Sequence, residues 1–166
     1  MKSADEIPIS ESNTIYKTFV MTGSIAASGN VMYLLNFSDT LTNSAFYSLF
    51  NGCESLTQAP ELPATTLADY CYNSMFKGCT SLVTAPELPA TELAYSCYPS
   101  MFNGCTKLNY VKAMFTSIPT TGVYITNWLN NVSSTGTFIK NAAATYNNLA
   151  AGIPTGWTVQ TASADK

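Results

Sequence analysis

The side chains able to do chemistry are few, and most of them recur at a fixed interval. Cys53, Cys79 and Cys105 lie 26 residues apart, and so do Cys71 and Cys97. Thiols could hold a metal, attack a substrate or form disulfides. The chain has no CxxC spacing and no histidine, so metal binding and base-assisted nucleophilic attack are both poorly supported. Glu61 and Glu87 are the carboxylates that repeat. Such a pair could serve acid–base chemistry or bind Ca²⁺, but stacked like charges are expected to form a solvated edge. No catalytic residue, metal ligand or cofactor site is expected. Exposed Tyr among Thr and Asn instead suits a binding surface. The positions that differ between repeats supply that surface: Thr57, Gln58, Val83, Thr84, Asn109, Tyr110, Tyr70 and Tyr95. Trp128 and Trp157 lie beyond the repeats. They are expected to plug the end of a core, with sugar stacking as the sharper alternative.

What must position these residues is a repeat. Cys53 to Gly78 and Cys79 to Gly104 are two copies of one 26-residue unit, identical at eighteen positions. Leu41 to Gly52 aligns without gaps on Leu67 to Gly78 and on Leu93 to Gly104, and the unit restarts at Cys105 before drifting. Within a unit, Pro60 and Pro63 force an extended stretch. Leu67, Cys71, Tyr72, Met75 and Phe76 then fall at i, i+4, i+5, i+8 and i+9, the apolar face of a short helix that Gly78 would stop. The unit therefore reads as strand, corner, helix, corner, about the length of one coil of a solenoid. Stacking would bury Leu on Leu and Phe on Phe. Strands stack ~4.8 Å apart and helices ~10 Å, so the stack should curve with its strands inside. On that geometry Cys71 and Cys97 lie too far apart for a disulfide, and the three-membered ladder cannot pair completely. A column of buried, reduced thiols is expected.

Outside the repeats, Ile15 to Gly23 and Val31 to Asn36 read as strands flanking a turn region, Gly23 to Asn30. Asn127 to Val132 matches SMFNGC, and Gly136 to Lys140 reads as a strand. Ala142 to Ala151 is ambiguous, and Gly152 to Val159 reads as a turn into a last strand. Hydrophobic residues make up 46% of the 166 and charged residues 10%, with a net charge of −3. No basic stripe exists to release counterions, so nucleic acid is not an expected partner. No apolar run approaches the ~18–20 residues that span a bilayer, so membrane insertion by this segment is not expected either. The polar start MKSADEIPISESNT has no apolar signal region, which suggests an excised part of a longer protein.

Phe50-Asn-Gly-Cys-Glu-Ser-Leu56, Phe76-Lys-Gly-Cys-Thr-Ser-Leu82 and Phe102-Asn-Gly-Cys-Thr-Lys-Leu108 share the pattern Phe-x-Gly-Cys-x-x-Leu. It resembles the bacterial leucine-rich repeats of BspA-like surface proteins. The APELPAT and CYxxMF segments and the ending Gly152-Ile-Pro-Thr-Gly-Trp-Thr-Val159 resemble the variant common in gut Bacteroides. The resemblance implies an α/β leucine-rich-repeat solenoid of ~26-residue strand–helix units, displayed outside the cell and tied to adhesion. The expected organisation is a flexible lead (1–14), one leucine-rich-repeat domain (15–160) and a tail (161–166). The domain divides into an N-terminal cap (15–40), repeats (41–112) and a C-terminal cap (113–160). The expected function is non-enzymatic recognition of a host or bacterial surface protein or glycan. The alternative is a structural spacer or assembly segment of a larger surface or phage-borne protein.

Overall fold

The computed structural model describes Phe19, residues 22–36, Ser38 and residues 40–163. The expected lead, most of the expected strand Ile15 to Gly23 and the last residues of the expected tail lie outside these. Among the described residues five strands are present: β1 (Ile25–Ala26), β2 (Leu56–Gln58), β3 (Tyr110–Ala113), β4 (Gly136–Lys140) and β5 (Trp157–Thr161). They form two small parallel sheets, β1-β2 and β3-β4-β5. The second is in register, with Val111 opposite Phe138 and Phe138 opposite Val159. Single parallel bridges such as Leu88 to Ala113 mark the extended stretch elsewhere.

The expected leucine-rich-repeat solenoid of strand–helix units is corrected by this architecture. Among the described residues the helical segment is one short 3₁₀ turn, Val31–Leu35, where a strand was expected. The Asn30 side chain caps that turn by accepting from the Met32 N–H at 2.8 Å, and Asn36 closes it in the left-handed region. The expected strand at Gly136 to Lys140 is β4. The last strand is β5, which runs one residue into the expected tail.

No helix forms over Leu67 to Phe76 because Tyr70 and Ser74 have φ of 58° and 55°, ahead of Gly78 at 75°. A right-handed helix cannot pass through left-handed residues every fourth position. The same spacing recurs at Ser44, Ser48 and Gly52 and at Ser96, Ser100 and Gly104. The chain instead makes linked tight turns, and its N–H groups divide into two sets. Cys71, Asn73, Met75 and Lys77 donate three residues back, to Ala68, Tyr70, Tyr72 and Ser74. Tyr70, Tyr72, Ser74, Phe76 and Gly78 donate to the next copy, to the carbonyls of Tyr95, Cys97, Pro99, Met101 and Asn103, at 2.8–3.1 Å. Residues 44–53 do the same toward 69–77, and residues 96–105 toward 123–130. Pro99 fits the scheme without penalty to the ladder. It occupies a slot whose N–H would point within the copy, and its carbonyl still accepts from Ser74.

This bonding brings the copies closer than helices could come. The Phe50–Phe76 and Phe76–Phe102 ring centroids are 5.5 and 5.6 Å apart, with planes 2° from parallel. The Gly52, Gly78 and Gly104 column meets the need for a left-handed residue at each repeat, while a Cβ on Gly78 would sit at an ordinary 3.7 Å from the Gly52 Cα. Hydrogen-bonded spacing on both sides of the stack removes the reason for the expected curvature. The core is a set of columns: Leu56, Leu82 and Leu108 on the extended side, Phe50, Phe76 and Phe102 on the turn side. Tyr72 is stacked between Phe46 and Tyr98, and among the described residues its buried hydroxyl has no hydrogen-bond partner. Removing that orphan oxygen should relieve its desolvation penalty. Tyr72→Phe is expected to raise unfolding stability by about 1 kcal/mol in urea titrations; a loss of stability would show that the hydroxyl is satisfied.

Candidate functional site

All eight candidate surface residues are exposed, and they separate into two groups half a repeat apart. The first lies on the extended side. Thr57 and Gln58 are on β2, Tyr110 opens β3, and Thr84 bridges to Tyr110. The Asn109 N–H donates to the Val83 carbonyl at 2.9 Å. Parallel pairing therefore aligns Val83 with Asn109 and Thr84 with Tyr110, and Thr57 and Gln58 hold the equivalent places one copy earlier. Thr57 is already engaged, since its hydroxyl donates to the Ile25 carbonyl at 2.9 Å. On the same side Glu87 pairs with Lys112 at 2.9 Å in the open, and Glu61 is exposed. Among the described residues no group of three or more His, Cys, Asp or Glu side chains could hold a metal ion.

The second group lies on the turns. Tyr70 and Tyr95 meet edge to face, with centroids 5.6 Å apart and planes at 77°. Tyr95 meets Tyr124 in the same way, at 6.0 Å and 80°. Such contacts place the electropositive edge of one ring on the face of the next. Tyr70 carries its ring on a left-handed residue, at a position filled by Ser44 and Ser96 in the other copies. The backbone of Tyr95 is tied to Asp69, whose carboxylate accepts its N–H at 3.1 Å. Gly122 leaves room for the outer rings: at φ 105°, its Cβ would come within 3.0 Å of Tyr124 and 3.3 Å of Tyr95. The sequence reading missed Tyr124 because the repeat has drifted there by one residue. The signal for it is the aligned backbone bond, Tyr98 N–H to the Tyr124 carbonyl at 3.0 Å, as Tyr72 bonds Cys97 one copy earlier.

The tryptophans belong to the core. Trp128 is fully buried, touches Tyr98, Phe102, Phe115 and Phe138, and donates its indole N–H to the Ala151 carbonyl at 2.7 Å. It takes the slot of Met101 in the backbone register, since Phe102 bonds the Trp128 carbonyl as Phe76 bonds that of Met101. Trp157 is buried too and donates to Ser133 at 2.8 Å. Both rings are placed to close the core rather than to stack on a sugar.

All five cysteines are free and buried. Cys53, Cys79 and Cys105 donate their S–H groups to the carbonyls of Phe19, Phe50 and Phe76 at 3.0–3.1 Å. Cys71 and Cys97 are one hydrogen-bonded layer apart, not the wider separation expected of helices. Burial pushes the Cys71 and Cys105 thiols up to about 12, and it raises Cys53, Cys79 and Cys97 as well. Thiols held in this way are poor nucleophiles.

Comparison with protein-family models, with curated proteins and with solved structures finds no match. With the strand–helix units corrected, the leucine-rich-repeat label, the adhesion role and the Bacteroides origin drawn from the resemblance lose their structural support. Among the described residues no helix is long and apolar enough to cross a membrane.

The thiols also predict a pH dependence. Their pKa values are raised on folding, so the unfolded chain loses these protons first, near the ordinary thiol value of ~8.5. Their contribution to stability should be fully present below that pH and fall as pH rises toward 12. The urea midpoint is expected to decline steadily above about pH 9. Thiol-reactive dyes should label the native protein slowly at pH 8. Rapid native labelling of Cys71 or Cys105 would contradict the burial.

Proposed function

We propose that this chain is a non-enzymatic binding module that recognises a protein or glycan through its surface side chains. The observation that carries the reading is the tyrosine ladder of Tyr70, Tyr95 and Tyr124. Three rings locked edge to face keep their positions without a ligand, so little side-chain entropy is lost on binding. The neighbouring surface is poor in charge and rich in Thr and Asn, which provide adaptable hydrogen bonds. The absence of histidine from the sequence and the protonated state of the buried thiols leave little for acid–base or nucleophilic chemistry. An extracellular or cell-surface setting would suit such a module.

The test is an array of glycans and extracellular-matrix proteins probed with the full chain. Wild-type protein is expected to bind at least one class of target. Tyr95→Ala, which removes the central ring, should weaken that binding by roughly tenfold or more, as loss of an aromatic anchor does. The Tyr95→Ala protein should still unfold cooperatively, with stability lowered by only about 1–2 kcal/mol from the two lost ring contacts. Background signal from the wild type, or undiminished binding by Tyr95→Ala, would count against the proposal.

A further inference from the structure

The stack of turns ends unevenly, and its C-terminal end has the chemistry of a binding site distinct from the tyrosine ladder. At each internal boundary, N–H groups at every second residue meet a row of carbonyls from the next copy. Ser100, Phe102 and Gly104 donate to Thr126, Trp128 and Asn130 at 2.9 Å each. The equivalent donors one copy further on are Asn127, Leu129 and Asn131. Among the described residues none of these three N–H groups has an acceptor.

The turn itself is intact there. Trp128 and Asn130 still donate three residues back, to Ile125 and Asn127 at 3.2 and 3.3 Å, and Asn127 and Asn131 keep the left-handed φ of their counterparts. The chain then leaves: the Ser133 N–H turns back to the Leu108 carbonyl at 3.1 Å and leads into β4. When it returns, Ala151, Gly152 and Ile153 form a self-contained turn, donating to Asn147, Leu149 and Asn148. Of that turn, Ala151 gives its carbonyl to the Trp128 indole and not to the row. What remains is a shallow depression of about 360 Å³ lined by residues 129–134 with Gly152 and Pro154. Leu129 is only 3% exposed, and among the described residues its N–H has no acceptor, which is costly and therefore uncommon.

We propose that this end binds a polypeptide segment of another molecule that takes up the same linked turns. That segment would lay a further row of carbonyls on the N–H groups of Asn127, Leu129 and Asn131. The assignment rests on continuity, since the same interface occurs three times within the chain and its matching surface is each time a polypeptide with carbonyls at every second residue. No charged side chain lines the depression, so a neutral carbonyl row fits it better than a free anion. Main-chain bonds of this kind supply affinity with little demand on sequence, as in strand addition at a sheet edge.

The test follows the amide resonances of ¹⁵N-labelled full-length protein, under reducing conditions. The probe is a synthetic peptide of residues 93–104, whose carbonyls fill this role inside the fold. The expected result is a saturable shift of the Asn127, Leu129 and Asn131 amides. Their solvent exchange should slow by roughly tenfold, the worth of one ordinary hydrogen bond. The already paired Phe102 and Gly104 amides should stay in place. Ser134→Trp, which obstructs the depression, should abolish the shifts. The proposal is overturned by any of four results: no shift with peptide; an equal shift with inorganic phosphate; shifts that depend on protein concentration alone, which would mean a second copy; or, in the free protein, a Leu129 amide that exchanges as slowly as that of Phe102.

Discussion

The structure depends on how the turn segments divide their backbone donors. Each N–H must find an acceptor when it leaves water. A helix would satisfy nearly all of them internally and present only side chains to its neighbour. Here every fourth residue is left-handed, and the donors alternate between the same copy and the next. Half of the turn backbone is therefore spent on contact between copies. The close columns of Phe, Leu and Cys follow from this bonding, because it sets the spacing at which the side chains stack. It also makes a single copy incomplete: its outward donors have no acceptor until another copy arrives.

That division also locates the two surfaces where recognition is argued. In-register stacking turns a residue that varies between copies into a neighbour of its counterpart. The pairs of Val83 with Asn109 and of Thr84 with Tyr110 arise in this way. The tyrosine ladder joins non-equivalent positions: Tyr70 and Tyr95 are linked by the regular bond from the Tyr70 N–H to the Tyr95 carbonyl, and Tyr124 lies beyond an inserted residue. At the end of the stack the same donors that bind copy to copy have no acceptor among the described residues. The side surface and the end thus offer different chemistry: aromatic rings and hydroxyls on one, a row of main-chain N–H groups on the other.

Much of this was legible in the residues, and the part that was not has a physical cause. The 26-residue period identified the core columns correctly, and the eight candidate surface residues are exposed, but Ser96 and Pro99, which also vary between copies, are buried. The helix failed because the spacing of Leu67, Cys71, Tyr72, Met75 and Phe76 suits a helix and a chain of four-residue turns equally well. The deciding residues were Ser48, Ser74 and Ser100, each four before a glycine. A small residue recurring every four positions ahead of Gly allows repeated left-handed turns, whereas Gly78 alone reads as a helix stop. The Val31 to Asn36 strand failed for a related reason: Asn30 offers its side chain as a cap, and local capping outweighed an apolar run too short to specify its own structure. Tyr124 was hidden by the one-residue insertion before it.

Bonding of the turn donors between copies can be measured directly. Scalar couplings across hydrogen bonds in ¹⁵N,¹³C-labelled protein report which carbonyl each N–H uses. A coupling is expected from the Phe76 N–H to the Met101 carbonyl, with matching couplings from Tyr72 to Cys97 and from Phe102 to Trp128. A coupling from Phe76 to the Tyr72 carbonyl, four residues back, would mean a helix and would contradict bonding between copies.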